Sequence, residues 1–173
     1  MSSGNIVLIG MPGSGKSTIG VLLAKRTAHD FVDTDLLIQS AEQRSLQDIL
    51  DSEGYLRLRE IEARVLQDLE VQNHVISTGG SAVYSDEAMQ HLKSGGICVY
   101  LEVSPDTLRR RITDYETRGI AKRPDQSFED LFAERTGLYR RYADLTVQGD
   151  GLDQEQVCAR VMAALREAGA IPA

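Results

Sequence analysis

The chain has 173 residues, of which 42% are hydrophobic and 26% are charged, and its formal net charge is -7. A chain of this length can bury a core without disulfide or metal support, so we predict one domain spanning residues 1–173. The excess of carboxylates repels phosphate backbones and anionic lipids, which argues against nucleic-acid and membrane partners. The apolar stretch at residues 6–9 is too short for a signal peptide or a membrane span, so we expect a cytoplasmic protein.

Short apolar runs alternate with amphipathic helical patterns along the chain, which is typical of an α/β domain. Five runs have the length and the apolar content of strands that are covered by helices on both faces. The predicted strands are residues 5–9, 31–34, 75–78, 97–103 and 145–147. Cys98 lies in the fourth run, where we expect a buried, reduced thiol.

The predicted helices have recognisable starts. Residues 16–27 and 58–69 carry apolar side chains at spacings of three and four, and Ser45, Ser104 and Ser127 each occupy a typical capping position before a helix. Residues 113–126 differ from these segments, because they have no apolar period and contain both glycine and proline. We predict a mobile loop there.

One segment carries a complete phosphate-binding motif. Residues 10–17 read GMPGSGKS and match G-x-x-x-x-G-K-[ST] at every fixed position, after a predicted strand and at the start of a predicted helix. Backbone N–H groups would converge on phosphate oxygens, Lys16 would bridge the terminal phosphates, and Ser17 would bind Mg²⁺. The predicted nucleotide-binding residues of this segment are Gly13, Ser14, Gly15, Lys16, Ser17 and Thr18.

The class of nucleotide enzyme follows from what the chain lacks. It has no Asn/Thr-Lys-x-Asp segment of the kind with which GTPases read their base, and its 173 residues leave no room for the additional modules of motors and transporters. A small kinase remains. His29, His74 and His91 do not have the spacing of metal ligands.

Asp33 and Asp35 lie at the carboxyl end of the second predicted strand. If the chain is extended there, both carboxylates point from one face at the carboxyl end of the sheet, close to residues 10–17. A kinase needs one carboxylate to hold Mg²⁺ and another to orient or deprotonate the acceptor hydroxyl. In the alternative interpretation, Asp35 only caps the following helix. Surface ion pairing alone would account for Arg59 and Arg135.

Further segments occur in an order that resembles the shikimate kinase family. They are Arg59-Glu60-Ile61-Glu62, Gly79-Gly80, Glu134-Arg135 and Leu138-Tyr139. With the phosphate-binding motif and Asp33-Thr34-Asp35, they extend the resemblance from about residue 5 to about residue 147. The resemblance implies a three-layer α/β/α P-loop kinase fold with a five-stranded parallel sheet of order 2-3-1-4-5 and a lid at residues 113–126. It also implies phosphorylation of the 3-hydroxyl group of shikimate with ATP and Mg²⁺, on the route to chorismate and the aromatic amino acids.

The resemblance implies a role for each matching residue. Asp35 would bind the acceptor hydroxyls and act as the base, while Asp33 would support Mg²⁺ through water. Arg59 and Arg135 would bind the shikimate carboxylate. The other implied site residues are Gly79 and Gly80 beside the acceptor, Arg111 along the adenine and Arg118 in the lid. The expected partners are ATP and a small hydroxylated carboxylic acid, and we expect a monomer.

The chain departs from the family pattern at three places. Ser81 replaces the third glycine of a triplet, Gly137 replaces a proline, and the lid offers Arg118 and Arg123 in place of one Arg-Pro-Leu segment. Arg118 is the better match, because its spacing to Arg135 is the longer one. These changes leave two alternatives open: a kinase for another hydroxy acid such as gluconate, or a nucleotide-binding switch without catalysis.

Overall fold

The computed structural model describes residues 4–113 and 115–173. Residues 1–3 of the predicted domain and Asp114 of the predicted lid lie outside the described residues. Five parallel strands form one sheet in the order β2-β3-β1-β4-β5, which confirms the predicted fold and strand order. The strands are β1 (Asn5–Ile9), β2 (Asp30–Asp33), β3 (His74–Ser77), β4 (Gly96–Glu102) and β5 (Leu145–Gln148).

Helices cover both faces of the sheet. Ser45, Ser104 and Ser127 each accept a backbone N–H bond at the start of a helix, as predicted, and Pro105 occupies the first turn after Ser104. The helices of the described residues are α1 (Lys16–Thr27), α2 (Thr34–Glu42), α3 (Leu46–Glu53), α4 (Tyr55–Gln67), α5 (Asp86–Ser94), α6 (Pro105–Arg111), α7 (Phe128–Tyr142) and α8 (Gln154–Glu167). Short 3₁₀ turns occupy Ala82–Tyr84 and Tyr115–Thr117.

The core lies in two layers, one on each side of the sheet. Ile6 and Leu8 of β1 pack with α1 and α8, whereas Val7 and Ile9 pack in the opposite layer with α5 and α7. This alternation explains the continuous apolar run of β1, because successive side chains point to opposite faces and both faces are covered. Cys98 is buried and free, as expected. Within the described residues, no helix is long and apolar enough to span a bilayer.

The chain turns from strand to helix one residue earlier than predicted. β2 ends at Asp33 and α2 begins at Thr34, so the extended conformation expected across residues 33–35 was wrong. The Asp33 carboxylate accepts a hydrogen bond of 2.9 Å from the Asp35 backbone N–H and caps α2. Capping satisfies an N–H group that has no partner within the helix, which favours this earlier start. Asp33, rather than Asp35, is therefore the capping residue.

Parallel topology brings three functional segments to one edge of the sheet. The phosphate-binding segment follows β1, Asp33 ends β2, and the Gly79-Gly80 pair follows β3. These three strands are direct neighbours in the sheet, with β3 between β1 and β2. Their carboxyl ends form the edge at which ligands bind in open α/β sheets.

Candidate active site

Residues 10–17 wrap around the amino group of Lys16. Gly13 and Gly15 have φ angles of 83° and 100°, which favour glycine, and a Cβ on Gly13 would lie 2.7 Å from Cγ1 of Ile112. Lys16 Nζ donates to the carbonyls of Gly10 (2.7 Å) and Met11 (2.9 Å). Burial lowers the pKa of Lys16 to about 8, and the Asp35 carboxylate opposes that shift.

A hydroxyl and a carboxylate meet beside this loop. Ser17 Oγ donates a hydrogen bond of 2.9 Å to Asp33 Oδ2, and the Ser77 hydroxyl lies 3.4 Å from Ser17 Oγ. These are hard oxygen donors of the kind that Mg²⁺ prefers, and Mg²⁺ usually takes few protein ligands because it keeps water and phosphate oxygens. Residues 4–113 and 115–173 contain no cluster of three or more His, Cys, Asp or Glu side chains suited to a metal. The Ser17-Asp33 pair thus fits Mg²⁺ held together with a nucleotide.

Two carboxylates converge next to Gly79. A Cβ on Gly79 would lie 2.5 Å from Glu62 Oε2 and 2.6 Å from Asp35 Oδ1, so a side chain at this position would displace both carboxylates. Burial, followed by the charge of Asp33, raises the pKa of Asp35. Burial, followed by the charge of Asp35, raises the pKa of Glu62 to about 7. Ser81 donates a hydrogen bond to Glu62 Oε1, which opposes this second shift.

The two candidate carboxylate-binding arginines share one backbone acceptor in the lid. Arg135 Nη2 donates to the Ala121 carbonyl at 2.9 Å, and Arg59 Nη2 donates to the same oxygen at 3.3 Å. Arg135 is 1% exposed, so it is not the solvated surface residue that pattern alone allowed. The carbonyl of Gly80 accepts from Tyr139 Oη at 2.6 Å. A Cβ on Gly80 would lie 2.7 Å from Arg135 Nη1, so glycine permits this close approach.

The two lid arginines lie in different places. Arg118 lines the central cavity, and its charge acts on both Lys16 and Asp35. Arg123 forms an ion pair with Glu134 at 3.3 Å, outside that lining. The lid also contacts α3, because the backbone N–H of Gly119 donates to Gln47 Oε1 at 2.9 Å.

Arg111 lies beside the phosphate-binding segment, where it lines both the central cavity and a second one. It donates to the Gly13 carbonyl at 3.3 Å, and it lines a cavity of about 320 Å³ together with Ser14, Leu152 and Val157. The geometry suits a flat, mostly apolar base beside a helix N-terminus that faces phosphates.

A central cavity of about 310 Å³ joins these parts. Asp33 and Arg59 are not part of its lining, and Ser14 belongs to the neighbouring cavity. Sequence reasoning missed Glu62, whose position three residues after Arg59 on α4 was a usable signal. It also missed Gln47 and Tyr84, which no pattern singled out. The predicted site residues in the lining are Gly13, Gly15, Lys16, Ser17, Thr18, Asp35, Gly79, Gly80, Arg111, Arg118 and Arg135.

Known proteins share both the sequence and this architecture. The family model "Shikimate kinase" matches residues 12–166. A shikimate kinase of Rhizobium meliloti is 35% identical over 166 residues, covering 94% of this chain and 86% of the relative. A shikimate kinase of Aquifex aeolicus is 37% identical over 153 residues, covering 88% of this chain and 90% of the relative.

Solved structures give the same result. A shikimate kinase from Acinetobacter baumannii in complex with shikimate has a TM-score of 0.87 at 27% identity, covering 95% of this chain and 94% of that one. The Aquifex aeolicus structure has a TM-score of 0.80 at 33% identity, covering 95% and 98%. A sugar kinase from Janibacter sp., 16% identical with a TM-score of 0.60 and covering 99% of each chain, shares the fold alone. This chain belongs to the shikimate kinase family.

Proposed function

We propose that this protein transfers the terminal phosphoryl group of ATP to the 3-hydroxyl group of shikimate, which yields shikimate 3-phosphate and ADP. One observation carries the proposal: a single cavity is lined by the phosphate-binding segment, by the Asp35 carboxylate and by the buried Arg135. It offers positive groups for two separate anions and a carboxylate between them, which a kinase for a hydroxylated carboxylic acid requires.

On the phosphate side, the chain supplies fixed positive charge. Backbone N–H groups of residues 13–18 would face the phosphates, Lys16 would exchange its bonds to Gly10 and Met11 for phosphate oxygens, and Arg118 would add charge from the lid. Ser17 and Asp33 would hold Mg²⁺, with Asp33 acting through water. When bound, Mg²⁺ neutralises charge on the phosphate oxygens.

On the acceptor side, Asp35 would accept the proton of the attacking hydroxyl as the new P–O bond forms and the bond to ADP breaks. Its raised pKa suits a group that must hold a proton transiently. Arg59 and Arg135 would bind the shikimate carboxylate, and Gly79 and Gly80 would leave space for the ring. Closure of residues 113–126 would exclude water, which would otherwise accept the phosphoryl group.

The proposal also concerns the setting of the reaction. We propose that residues 1–173 act as one monomeric kinase domain in the cytoplasm, with neither nucleic-acid nor membrane partners. The net charge of -7 supports the absence of both kinds of anionic partner.

A coupled ADP-release assay over a panel of acceptors tests the function. We expect turnover with shikimate well above the ATP-hydrolysis background, and weaker turnover with gluconate or with a shikimate analogue that lacks the carboxylate. Mass analysis should find one added phosphoryl group on shikimate. Preference for another hydroxy acid would redirect the substrate assignment, and turnover with no acceptor would leave the nucleotide-binding switch.

Ser81→Gly tests whether the serine affects acceptor choice. The Ser81 hydroxyl already donates a hydrogen bond to Glu62. We therefore expect it to leave acceptor binding unaffected, so that shikimate remains the best acceptor in the variant. A changed order of acceptors in the panel would show that Ser81 sets specificity.

A further inference from the structure

Tyr84 contacts both of the arginines that are proposed to bind the acceptor's carboxylate. It ends the 3₁₀ turn Ala82–Tyr84, directly after the Gly79-Gly80 segment. The Arg59 guanidinium carbon is 3.6 Å from the centroid of the Tyr84 ring, and that of Arg135 is 5.5 Å from it. Both distances fall within the range of cation–π attraction, and the first corresponds to direct face contact.

The hydroxyl of Tyr84 is used in both of its hydrogen-bonding capacities. It accepts from Arg135 Nε at 3.4 Å and donates to Glu134 Oε2 at 2.6 Å. The ring therefore contacts one arginine, and the hydroxyl contacts the other. Burial raises the pKa of the Tyr84 hydroxyl, so it remains protonated and able to donate to Glu134 at neutral pH.

These contacts of Tyr84 offset the repulsion between the two arginine charges. Arg59 and Arg135 both donate to the Ala121 carbonyl, so two like charges are held close together. Burial lowers the pKa of Arg59, and the charge of Arg135 lowers it further. The electron-rich face of Tyr84 and the Glu134 carboxylate supply the compensating negative potential. Arginine side chains lose considerable rotamer freedom when they are fixed, and fixing them before the ligand arrives reduces the cost of binding.

We propose that Tyr84 is a positioning residue that holds Arg59 and Arg135 in the arrangement that receives the acceptor's carboxylate. The inference rests on the proposed function, and it assigns Tyr84 no contact with the reacting atoms. It predicts an effect on acceptor affinity that is separate from catalysis at saturation and from ATP binding.

Three variants test the role of Tyr84. Tyr84→Leu removes the ring and the hydroxyl, and we expect it to raise the KM for shikimate roughly tenfold, with kcat and the KM for ATP within about twofold of the parent. Tyr84→Phe keeps the ring contact with Arg59 and loses only the hydroxyl bonds, so we expect a rise of about threefold. Tyr142→Phe is the matched control. The Tyr142 hydroxyl also donates to a carboxylate, that of Asp86, at 2.6 Å, and this hydrogen bond involves neither Arg59 nor Arg135. Its KM for shikimate should not change.

A double-mutant cycle separates positioning from general packing. If the Tyr84 ring acts through Arg59, Tyr84→Leu should raise the KM for shikimate only about threefold once Arg59→Lys is present, because only the loss of the hydroxyl bonds to Arg135 and Glu134 remains to be felt. In addition, the dissociation constant of a carboxylate-free shikimate analogue should be the same for Tyr84→Leu and for the parent. Additive losses, or an equal loss with the carboxylate-free analogue, would assign Tyr84 to packing alone and overturn the inference.

The remaining outcomes are distinct. An unchanged KM for shikimate in Tyr84→Leu overturns the inference while the proposed function stands. If Tyr84→Leu does not fold, Tyr84→Phe decides, and an unchanged KM in that variant overturns the inference. If the parent protein does not phosphorylate shikimate, the proposed function fails first, and the parent assay alone shows it.

Discussion

The nucleotide side of the cavity and its acceptor side are built in different ways. The proposed nucleotide side, residues 10–18 with Arg111, is mostly one continuous segment whose backbone groups and lysine would bind the phosphates. The acceptor side, Arg59, Glu62, residues 79–84 and Arg135, comes from three separated segments held by contacts between side chains. Backbone recognition of phosphate depends on local geometry, whereas the acceptor side depends on tertiary packing.

The two sides should differ in how well they tolerate amino-acid substitutions. A substitution on the nucleotide side alters φ angles or the lysine, and the motif tolerates few such changes. On the acceptor side, Ser81 occupies a glycine position of the family pattern. Its hydroxyl forms a hydrogen bond to Glu62, so the structure accommodates this replacement of glycine by serine. We therefore expect single substitutions to abolish function on the nucleotide side and to modulate it on the acceptor side.

The strongest test of the nucleotide side is Lys16→Ala. The amino group is buried among loop carbonyls and no other lysine lines the cavity within the described residues, so we expect turnover to fall by about 10³-fold or more. Lys25→Ala is the control, because Lys25 is on the same helix and exposed. Circular dichroism should show that both variants are folded. Parent-like ADP release from Lys16→Ala would contradict the kinase mechanism.

Asp35 lies where the two sides meet. If Asp35 accepts or orients the acceptor's proton, Asp35→Asn should lower kcat by about 10² to 10⁴-fold and keep ATP affinity. Asp33→Asn should instead shift the Mg²⁺ concentration needed for half-maximal rate, because one carboxylate oxygen of Asp33 accepts from the proposed Mg²⁺ ligand Ser17. Steady-state kinetics over a Mg²⁺ series distinguish the two variants. Exchanged effects would reverse the two role assignments.

Substitution of the two lid arginines should lower kcat to very different extents. Arg118 lines the cavity near Lys16, so Arg118→Ala should lower kcat by about 10²-fold. Arg123 is engaged by Glu134, so Arg123→Ala should change kcat by less than about threefold, the scale of an exposed ion pair. A larger loss in Arg123→Ala would mean that the lid is registered differently when the substrates are bound.

The acceptor side should respond in KM. Lysine cannot reproduce the planar, bidentate hydrogen bonding of arginine, so Arg59→Lys and Arg135→Lys should each raise the KM for shikimate roughly tenfold and leave the KM for ATP nearly unchanged. Arg64→Lys, an exposed position on the same helix as Arg59, is the control. If neither arginine variant affects any acceptor in the panel, the carboxylate-binding role is wrong.

The same contrast explains what could be predicted from the sequence. Strand runs such as residues 5–9 and the motif at residues 10–17 are contiguous in the sequence. Their periodicity and spacing were therefore sufficient to predict the α/β fold and the phosphate-binding segment. The start of α2 was misplaced because the capping bond from Asp33 outweighed strand propensity, a local competition that periodicity does not register. Tyr84 and Gln47 escaped notice because their partners at the site are distant in the chain: Arg59 and Arg135 are 25 and 51 residues from Tyr84, and Gly119 is 72 residues from Gln47.

Glu62 gives the smallest expected effect and the finest test of the acceptor side. Its pKa is about 7 in the folded protein and near 4.5 when unfolded, so between these values the folded state binds the extra proton. Protonated Glu62 therefore contributes stability at low pH that is lost as the pH rises through 7. The total change is on the order of 3 kcal/mol.

Glu62→Gln removes this titration and can still accept the bond from Ser81. From pH 5 to pH 8, the free energy of unfolding in urea should fall less in Glu62→Gln than in the parent. The variant should therefore gain stability relative to the parent as the pH rises. Glu60→Gln, an exposed position on the same helix, should follow the parent. Equal pH dependence in Glu62→Gln and the parent would mean that Glu62 stays ionised, its charge balanced by Arg135, and that the acceptor side is electrostatically paired instead of protonated.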